Sequence, residues 1–226
     1  MYRRDFGNNF PVGRDRFYDV LDKYGLKLRR KHRTTRTTNS EHGFRLYPNL
    51  VKDFIPTAPN QLWVSDITYI DTLDGCCYLH LVTDAYSRKI VGWCLSETLH
   101  AAHTVKALKM AIEATGKGTL EGLIHHSDRG VQYCCDEYVN LLMDYRIKIS
   151  MTEDYNPTDN AIAERVNGTL KTEVIYREQR FIGFTDAERR IASFIDFYND
   201  KRPHSSIGMK VPSQAHQESG EQRRCW

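Results

Sequence analysis

Three acidic residues stand in surroundings where a carboxylate could do chemistry. Asp66 lies in the middle of the β-rich run WVSDITYI, where burying an unpaired carboxylate would be unfavourable. Asp128 follows the five-residue run LIHHS and precedes a turn at Arg129-Gly130, so it is expected at the C-terminal end of a strand, where ligand-binding groups often lie. Glu164 falls on a predicted helix. Taken singly, Asp66 could be a partnered structural residue and Glu164 part of a solvated helix face.

Together the three carboxylates indicate metal-ion chemistry on a phosphate group. Carboxylate sets that offer only oxygen suit hard cations, and Mg²⁺ commonly keeps water and phosphate oxygens among its ligands. Two such ions about 4 Å apart can activate an attacking oxygen and stabilise a leaving one. The sequence contains no G-x-S-x-G, Walker, H-E-x-x-H or G-x-G-x-x-G motif that would indicate a different catalytic centre.

The elements that must hold these residues follow from the hydrophobic pattern. Three β-rich runs at 62–70, 78–87 and 89–97, with turns between them, predict an antiparallel meander. The later pattern predicts a helix at 101–114, a strand within 122–130, a helix at 137–145, a strand at 147–151, and helices at 160–175 and 186–198. This order predicts a mixed α/β fold around a central sheet.

The helix predicted at 160–175 is amphipathic. Its apolar stripe follows i, i+4 spacing and consists of Ile162, Val166, Leu170 and Val174. At 100° per residue, the roughly opposite face carries Glu164, Asn167 and Lys171. We expect the stripe to pack on the sheet and leave Glu164 and Lys171 along one rim, where they could serve a metal ion and a phosphate.

The net charge of +3 divides unevenly along the chain. Residues 1–50 hold twelve Lys/Arg and five Asp/Glu, a net charge of +7, and the remaining residues carry −4. A predicted basic linker, 29–59, follows a short N-terminal helical segment, 1–28. The densest basic cluster spans this boundary and consists of Lys27, Arg29, Arg30, Lys31, Arg33 and Arg36. Such asymmetry suggests contact with a nucleic acid or a membrane surface, although it could also be a solvated basic face. In the nucleic-acid case the cluster would make phosphate contacts.

Composition excludes several other classes of protein. With 226 residues and 40% hydrophobic positions, the chain can bury a core without disulfides or metal staples. No apolar run approaches the roughly 18 residues of a membrane span, and the first residues lack a signal-peptide pattern. None of the six cysteines forms C-x-x-C, so we interpret Cys76, Cys77 and Cys94 as small core residues in a reducing compartment. We expect a soluble, cytoplasmic protein with no membrane partner.

Five ordered blocks resemble the second open reading frame of bacterial insertion-sequence transposases of the IS-three family. They are WVSDITYI, TDAYSRKIVGW, HHSDRGVQY, DNAIAERVNGTLKTE and FYNDKRPHSSIGMKVPSQAH. Asp66, Asp128 and Glu164, with 61 and then 35 intervening residues, also resemble the Asp, Asp-35-Glu signature of retroviral-integrase-type transposases. The resemblance covers about residues 12–216.

The resemblance implies an RNase H-like core with a five-stranded mixed sheet at 60–217, followed by a tail at 218–226. It implies that Asp66 contacts two Mg²⁺ ions, for which Mn²⁺ can substitute, and that Asp128 and Glu164 each complete one metal site. Lys171 matches a lysine that such enzymes keep near the DNA end. Asp84, in the second block, is left either as a support for the site or as a structural residue. His126 could line the site or be a buried orienting residue.

The implied reaction is DNA integration. One strand would be cut at each element end to leave a 3′-hydroxyl, which would then attack a second phosphodiester without a covalent protein–DNA intermediate. The implied partners are the element ends, the target DNA and further copies of the chain.

Both ends of the chain leave alternatives open. Residues 1–28 resemble only the last helix of a helix-turn-helix, with an apolar pattern ended by Gly25. Arg14 and Arg16 at its start could contact base edges, or the helix could simply pack through its apolar residues, Phe17, Val20, Leu21 and Tyr24. Near the other end, Arg202 and His204 either touch DNA or pack.

Three functions remain in competition on sequence alone. The first is an active transposase, favoured by the complete acidic triad. The second is a DNA-binding remnant or regulator of transposition that lacks productive catalysis, favoured by the short helix-turn-helix. The third is a cellular RNase H-like nuclease, which would need neither the basic cluster nor the FYNDKRPHS block.

Overall fold

A computed structural model of the chain describes residues 13–26, 42–153, 160–175 and 180–222. Its strands are β1 (Leu62–Asp71), β2 (Cys76–Asp84), β3 (Ile90–Ser96), β4 (Ile124–Ser127) and β5 (Lys148–Met151). Its α-helices are α1 (Arg14–Lys23), α2 (Ala101–Ala114), α3 (Val131–Cys134), α4 (Asp136–Asp144), α5 (Ala161–Leu170), α6 (Phe184–Asp200) and α7 (Pro212–Ala215). A π-helical turn, Lys171–Ile175, continues α5, and a 3₁₀ turn spans Ser205–Ile207.

The five strands form one mixed sheet in the order β3-β2-β1-β4-β5. The pairs β1–β2 and β2–β3 are antiparallel, as the predicted meander requires, and β1–β4 and β4–β5 are parallel. The predicted mixed sheet with flanking helices is therefore confirmed, with β1 at its centre.

Alternation along β1 sends its side chains to opposite faces of the sheet. Trp63 and Ile67 pack with α2 and α4 in one apolar cluster, whereas Ile70 packs with α5 and α6 in another. Leu62 and Val64 join Ala163 of α5 in a third, smaller cluster. The even-numbered side chains of β1 therefore face α5.

Several element boundaries differ from the predicted ones for local reasons. The helix predicted at 160–175 becomes π-helical from Lys171, and the short helix α3 was not predicted. Strand β2 ends at Asp84 because the Asp84 carboxylate accepts hydrogen bonds from the backbone and hydroxyl of Ser87, which closes a turn. The core interpretation is wrong for Cys76, which is exposed because it is the first residue of β2; Cys77 is buried.

Helix α1 ends as its sequence predicts but does not bury its whole apolar stripe. Gly25, with φ of +64°, follows the last turn. Val20 and Tyr24 are 41% and 66% exposed, and Phe17 and Leu21 are half-buried. Packing through all four apolar residues is therefore not what the structure shows.

The described part of the predicted linker packs against the sheet. His42 Nε2 lies 2.8 Å from the carbonyl oxygen of Arg129, and the Leu50 amide donates to Ser150 Oγ at 2.9 Å. Tyr47 packs against the apolar cluster on the α2 side of the sheet. Residues 42–51 therefore reach the loop that follows Asp128, and the division of the chain at residues 28 and 59 stays a prediction. Among the described helices, none is both long and apolar enough to cross a bilayer.

Close packing of β3 on α2 gives a stability test. A Cβ atom at Gly92 would lie 2.1 Å from the Ala107 carbonyl oxygen and 2.9 Å from the Ala111 Cβ, whereas Gly168 of α5 has open space. We expect Gly92→Ala to lower the free energy of unfolding by about 2–3 kcal/mol or more, because helix backbone cannot yield. The control, Gly168→Ala, should raise it by about 0.5–1 kcal/mol. Urea denaturation of both variants measures this, and a Gly92→Ala protein as stable as the wild type would contradict the packing.

Candidate active site

The pairing of β1 with β4 places Asp66 and Asp128 side by side. Val64 pairs with His126 in parallel register, so the residues two positions further along each chain, Asp66 and Asp128, lie level with each other. Both are on the side of the sheet that faces α5. Asp66 is thus mid-strand in β1, and Asp128 directly follows the end of β4.

Each aspartate is oriented by hydrogen bonds. The Asp66 carboxylate accepts from its neighbouring amide, Ile67 N, at 2.9 Å and from Asn167 Nδ2 at 2.7 Å. Asp128 Oδ1 accepts from the Gly130 amide at 2.9 Å, which closes the turn predicted there. These contacts leave the carboxylates in defined orientations without neutralising them.

Glu164 is carried to the site by α5. The apolar stripe packs as predicted, with Val166, Leu170 and Val174 buried and Ile162 half-buried. Glu164 lies in the first turn of α5 and is exposed, as expected for the rim of a site.

One prediction for the polar face of α5 is wrong. Asn167 is not on the exposed face but is buried against Asp66, because the helix axis brings this side of α5 over the polar middle of β1. A second amide, Asn160 Nδ2, donates to the Ser65 carbonyl oxygen at 2.9 Å. The two asparagines therefore attach α5 to β1, Asn160 at the start of the helix and Asn167 within it, a role that the sequence pattern indicated for neither.

Electrostatic repulsion links the three carboxylates. Burial first, and then the charge of Asp128, raise the pKa of Asp66 to about 7, with a smaller contribution from Glu164. The hydrogen bonds from Ile67 and Asn167 offset part of this rise. Burial also raises the pKa of Glu164. Asp66 therefore holds a proton over much of the neutral range unless a cation replaces it.

The donor set fits a hard divalent cation by its chemistry. It offers only carboxylate oxygens, and their repulsion would be relieved by a bound cation. Within the described ranges, no three His, Cys, Asp or Glu side chains already stand close enough together to enclose a metal ion. Glu164 is exposed, and the carboxyl group of Asp66 is the buried member of the three.

Other acidic and histidine candidates have structural surroundings. Asp84 is fully buried and accepts hydrogen bonds from the Asn60 amide and from Ser87, which tie the β2–β3 turn to the start of β1. His126 is also buried, and its Nδ1 lies 2.8 Å from Ser150 Oγ, so it links β4 to β5. Both residues brace the strands that carry the aspartates.

Tyr133 approaches the acidic centre, although the sequence analysis did not single it out. Its hydroxyl is buried and has no hydrogen-bond partner among the described residues. Burial, followed by the charges of Asp128 and Asp66, raises its pKa well above the usual value. The only sequence signal is its place five residues after Asp128 in HHSDRGVQY.

Only some of the residues predicted to contact DNA lie in the described part of the chain. Lys171 is half-buried at the first position of the π-helical turn. Burial raises the pKa of the Cys76 thiol, and the charge of Lys171 offsets part of this rise. Lys171 is not among the groups that shift the pKa of Asp66, which include Asp128 and Glu164. Arg16 is exposed on α1, which Arg14 begins. The basic cluster between Lys27 and Arg36 lies outside the described residues.

Comparison with protein families and curated proteins gives consistent matches. Two models described as integrase core domain match residues 56–157 and 145–212. The chain is 39% identical over 208 residues to an uncharacterized 31 kDa protein of insertion element IS600 from Shigella sonnei, covering 91% of this chain and 75% of the relative. It is 33% identical over 196 residues to transposase InsF of insertion sequence IS3A from Escherichia coli K12, covering 86% and 67%.

Solved structures share the fold. A chain of the simian T-cell lymphotropic virus intasome, solved with the PP2A regulatory subunit B56 gamma, matches with a TM-score of 0.60 and 18% identity, covering 84% of this chain and 66% of that chain. The HTLV-2 integrase catalytic core domain, solved with magnesium in a dimeric form, matches with a TM-score of 0.53 and 20% identity, covering 70% and 97%. The architecture is that of retroviral integrase catalytic cores, the RNase H-like fold.

The raised pKa of Asp66 makes the stability of the metal-free protein depend on pH. Because this pKa is about 7 when folded and 3.8 ordinarily, the folded chain keeps a proton that the unfolded chain loses between these values. The stability contributed by Asp66 is complete below the ordinary pKa and is lost as the pH rises through 7. The amide in Asp66→Asn cannot ionise, so the variant should not lose this stability as the pH rises. Its free energy of unfolding, relative to that of the wild type, should therefore increase by about 1–3 kcal/mol between pH 5 and pH 8.

Urea denaturation with EDTA present, at both pH values, measures this difference. Asp144→Asn, at an exposed position of α4, is the matched control and should show no such trend. A stability difference between Asp66→Asn and wild type that does not change with pH would contradict the burial and repulsion described for Asp66.

Proposed function

The chain belongs to the bacterial insertion-sequence transposases with an integrase core domain, and from this we propose that it cuts and joins DNA through a metal-dependent centre of Asp66, Asp128 and Glu164. The observation that carries the proposal is the placement of Asp66 and Asp128 by adjacent parallel strands beneath α5, with the pKa of Asp66 raised by burial and then by the charges of Asp128 and Glu164. None of the comparisons favours the alternative of a catalytically unproductive regulator.

The three carboxylates would hold Mg²⁺, or Mn²⁺ in its place. When bound, two such ions neutralise charge on a phosphodiester and polarise the attacking and leaving oxygens. The residues of the chain prepare this. Asp66 gives up the proton that it holds near neutral pH, and Asn167 and the Ile67 amide keep its carboxylate oriented. Glu164, on the exposed rim, can close toward the aspartates.

The attacking group is supplied by water and then by DNA, rather than by the protein. Tyr133 stands near Asp128 and Asp66, but burial and then these two charges raise its pKa well above the ordinary value, so its hydroxyl does not ionise readily. Tyr138 packs on the α2 and α4 side of the sheet, and burial raises its pKa as well. Tyr138 is also engaged with His125 Nε2 at 2.9 Å. We therefore assign hydrolysis of one strand to water and the joining step to the DNA 3′-hydroxyl that hydrolysis leaves.

Several copies of the chain act together on this view. Two element ends must be joined to one target, which requires more than one active centre held in a fixed relation. A protein that acts on chromosomal DNA would work at the nucleoid.

The reaction itself is the first test. We expect the chain, with Mg²⁺ or Mn²⁺, to nick labelled duplexes carrying the terminal sequences of its own element and to join the new 3′-ends to a second duplex. Asp66→Asn should lower both rates by at least about 100-fold, because it removes a metal ligand. Asp144→Asn, an exposed change on α4, should leave them unchanged. Binding of the duplex by wild type without either product would instead identify a regulator.

The basic cluster between Lys27 and Arg36 is proposed to hold phosphates. Changing its six Lys/Arg residues to Gln in the full chain should weaken DNA binding and reduce the slope of log K against log salt by up to about 5, since each phosphate contact contributes about 0.9. Residues 42–51, which pack on the sheet, are kept intact. Arg146→Gln, which removes an exposed partner of Glu121, is the control. An unchanged slope in the six-residue variant would assign the DNA contacts elsewhere.

A further inference from the structure

Helix α5 is followed without a break by a turn of π-helix. It continues into the π-helical turn Lys171–Ile175, and Lys171 is the first residue of that turn. Single π-helical turns are rare and tend to occur at functional sites. Because such a turn is less favourable than continued α-helix, contacts from elsewhere in the fold must hold it.

The strongest such contact joins Glu173 in the turn to Arg202, just beyond the end of α6. Arg202 Nε donates to both carboxylate oxygens of Glu173, at 3.0 and 2.9 Å, and Nη2 donates to Oε1 at 2.6 Å. Both side chains are only about a quarter exposed, at 24% for Arg202 and 26% for Glu173. A forked, partly buried pair of this kind is among the stronger and more directional ion pairs in proteins.

His204 and Tyr198 complete this group. Arg202 Nη1 lies 3.1 Å from His204 Nε2, and the His204 ring stands edge-on to the Tyr198 ring with centroids 4.7 Å apart. Burial, and then the charges of Arg202 and Arg88, lower the pKa of His204 to about 3. His204 is therefore neutral and accepts the hydrogen bond from Arg202. We call Glu173, Tyr198, Arg202 and His204 the brace.

The contacts of Arg202 argue against a direct DNA contact. All three nitrogens of its guanidinium group are engaged, two by Glu173 and one by His204. Three of the five N–H donors of Arg202 are used within the protein, so a phosphate that took the full fork of this arginine would displace Glu173 and release the π-helical turn.

We propose that Arg202 and Glu173 are positioning residues that hold the π-helical turn, and with it Lys171, in the orientation that meets the phosphates of a DNA end. The inference rests on the proposed function for its DNA partner. The brace acts on DNA binding through Lys171. Removal of Glu173 and removal of Arg202 should therefore both weaken DNA binding, although the two residues have opposite charges.

Two single variants distinguish the brace from a direct contact. Glu173→Gln frees Arg202 while removing a negative charge, and Arg202→Gln removes the arginine. We expect both to weaken binding of an element-end duplex by about 10-fold, as loss of an orienting partner typically does. Exchange of the pair, Glu173→Arg with Arg202→Glu, should recover most of the affinity because the ion pair is restored.

The experiment uses the full chain and a fluorescent duplex carrying the terminal sequence of its element, with a closed dumbbell of the same sequence as competitor. Each variant is measured alone and together with Lys171→Ala. In the Lys171→Ala background the effects of Glu173→Gln and Arg202→Gln should fall below about 2-fold, since a route through Lys171 makes the changes non-additive. Arg190→Gln, which removes a partly buried, ion-paired arginine from the N-terminal half of α6, controls for general destabilisation.

Two results would overturn the proposal. Unchanged or tighter DNA binding by Glu173→Gln would show that Glu173 does not support binding and would favour a direct contact of Arg202 with DNA. A full loss of affinity from Glu173→Gln or Arg202→Gln in the Lys171→Ala background would show that the two residues do not act through Lys171. Amide hydrogen exchange tests the brace without DNA, so its result does not depend on the proposed function. Amides of 171–175 should exchange faster in Arg202→Gln and not in Arg190→Gln, with or without DNA. Equal exchange in Arg202→Gln and wild type overturns the brace even if the chain binds no DNA end.

Discussion

Burial of the Asp66 carboxyl group in the middle of β1, beside the charge of Asp128, is the constraint on which the rest of the structure depends. The pKa of Asp66 is raised from 3.8 to about 7 by burial and by Asp128, which corresponds to about 4 kcal/mol against its ionised form. Hydrogen bonds from Asn167 and Ile67 recover only part of this. On the proposed function, a divalent cation bound at these carboxylates would offset this cost, so the charges that weaken the metal-free protein would favour metal binding.

The surrounding elements can be understood as the support for that arrangement. Parallel pairing of β1 with β4 holds the two aspartates level, and apolar clusters on both faces of the sheet keep the strands from separating. Helix α5 is attached to β1 by two buried amides, Asn160 and Asn167, rather than by apolar packing alone. Directional hydrogen bonds fix the rotation of the helix, whereas apolar packing tolerates small rotations, and the position of Glu164 depends on that rotation.

The strands, the apolar stripe of α5 and the acidic residues could be predicted from the sequence. The burial of Asn167 and the long-range contacts could not, because they depend on tertiary packing. Alternating and i, i+4 patterns located the strands and the apolar stripe of α5. The local surroundings of Asp66, Asp128 and Glu164 singled them out, and the family resemblance gave them roles. The angle at which α5 crosses β1 is set by tertiary packing, so the burial of Asn167 could not be read from periodicity. The contact of His42 with the loop after Asp128 joins residues 87 positions apart, and no local pattern reports it. The π-helical turn is held by Arg202, which is 29 residues from its partner Glu173.

The most direct measurement is titration of the Asp66 carboxyl group itself, followed by ¹³C NMR of the chain labelled at aspartate, with and without Mg²⁺. We expect Asp66 to titrate near pH 7 in the metal-free wild type, at lower pH in Asp128→Asn, and well below 7 when Mg²⁺ is bound. An Asp66 that titrates near its ordinary value of 3.8, with no response to Asp128→Asn or to Mg²⁺, would contradict a shared metal centre at these carboxylates.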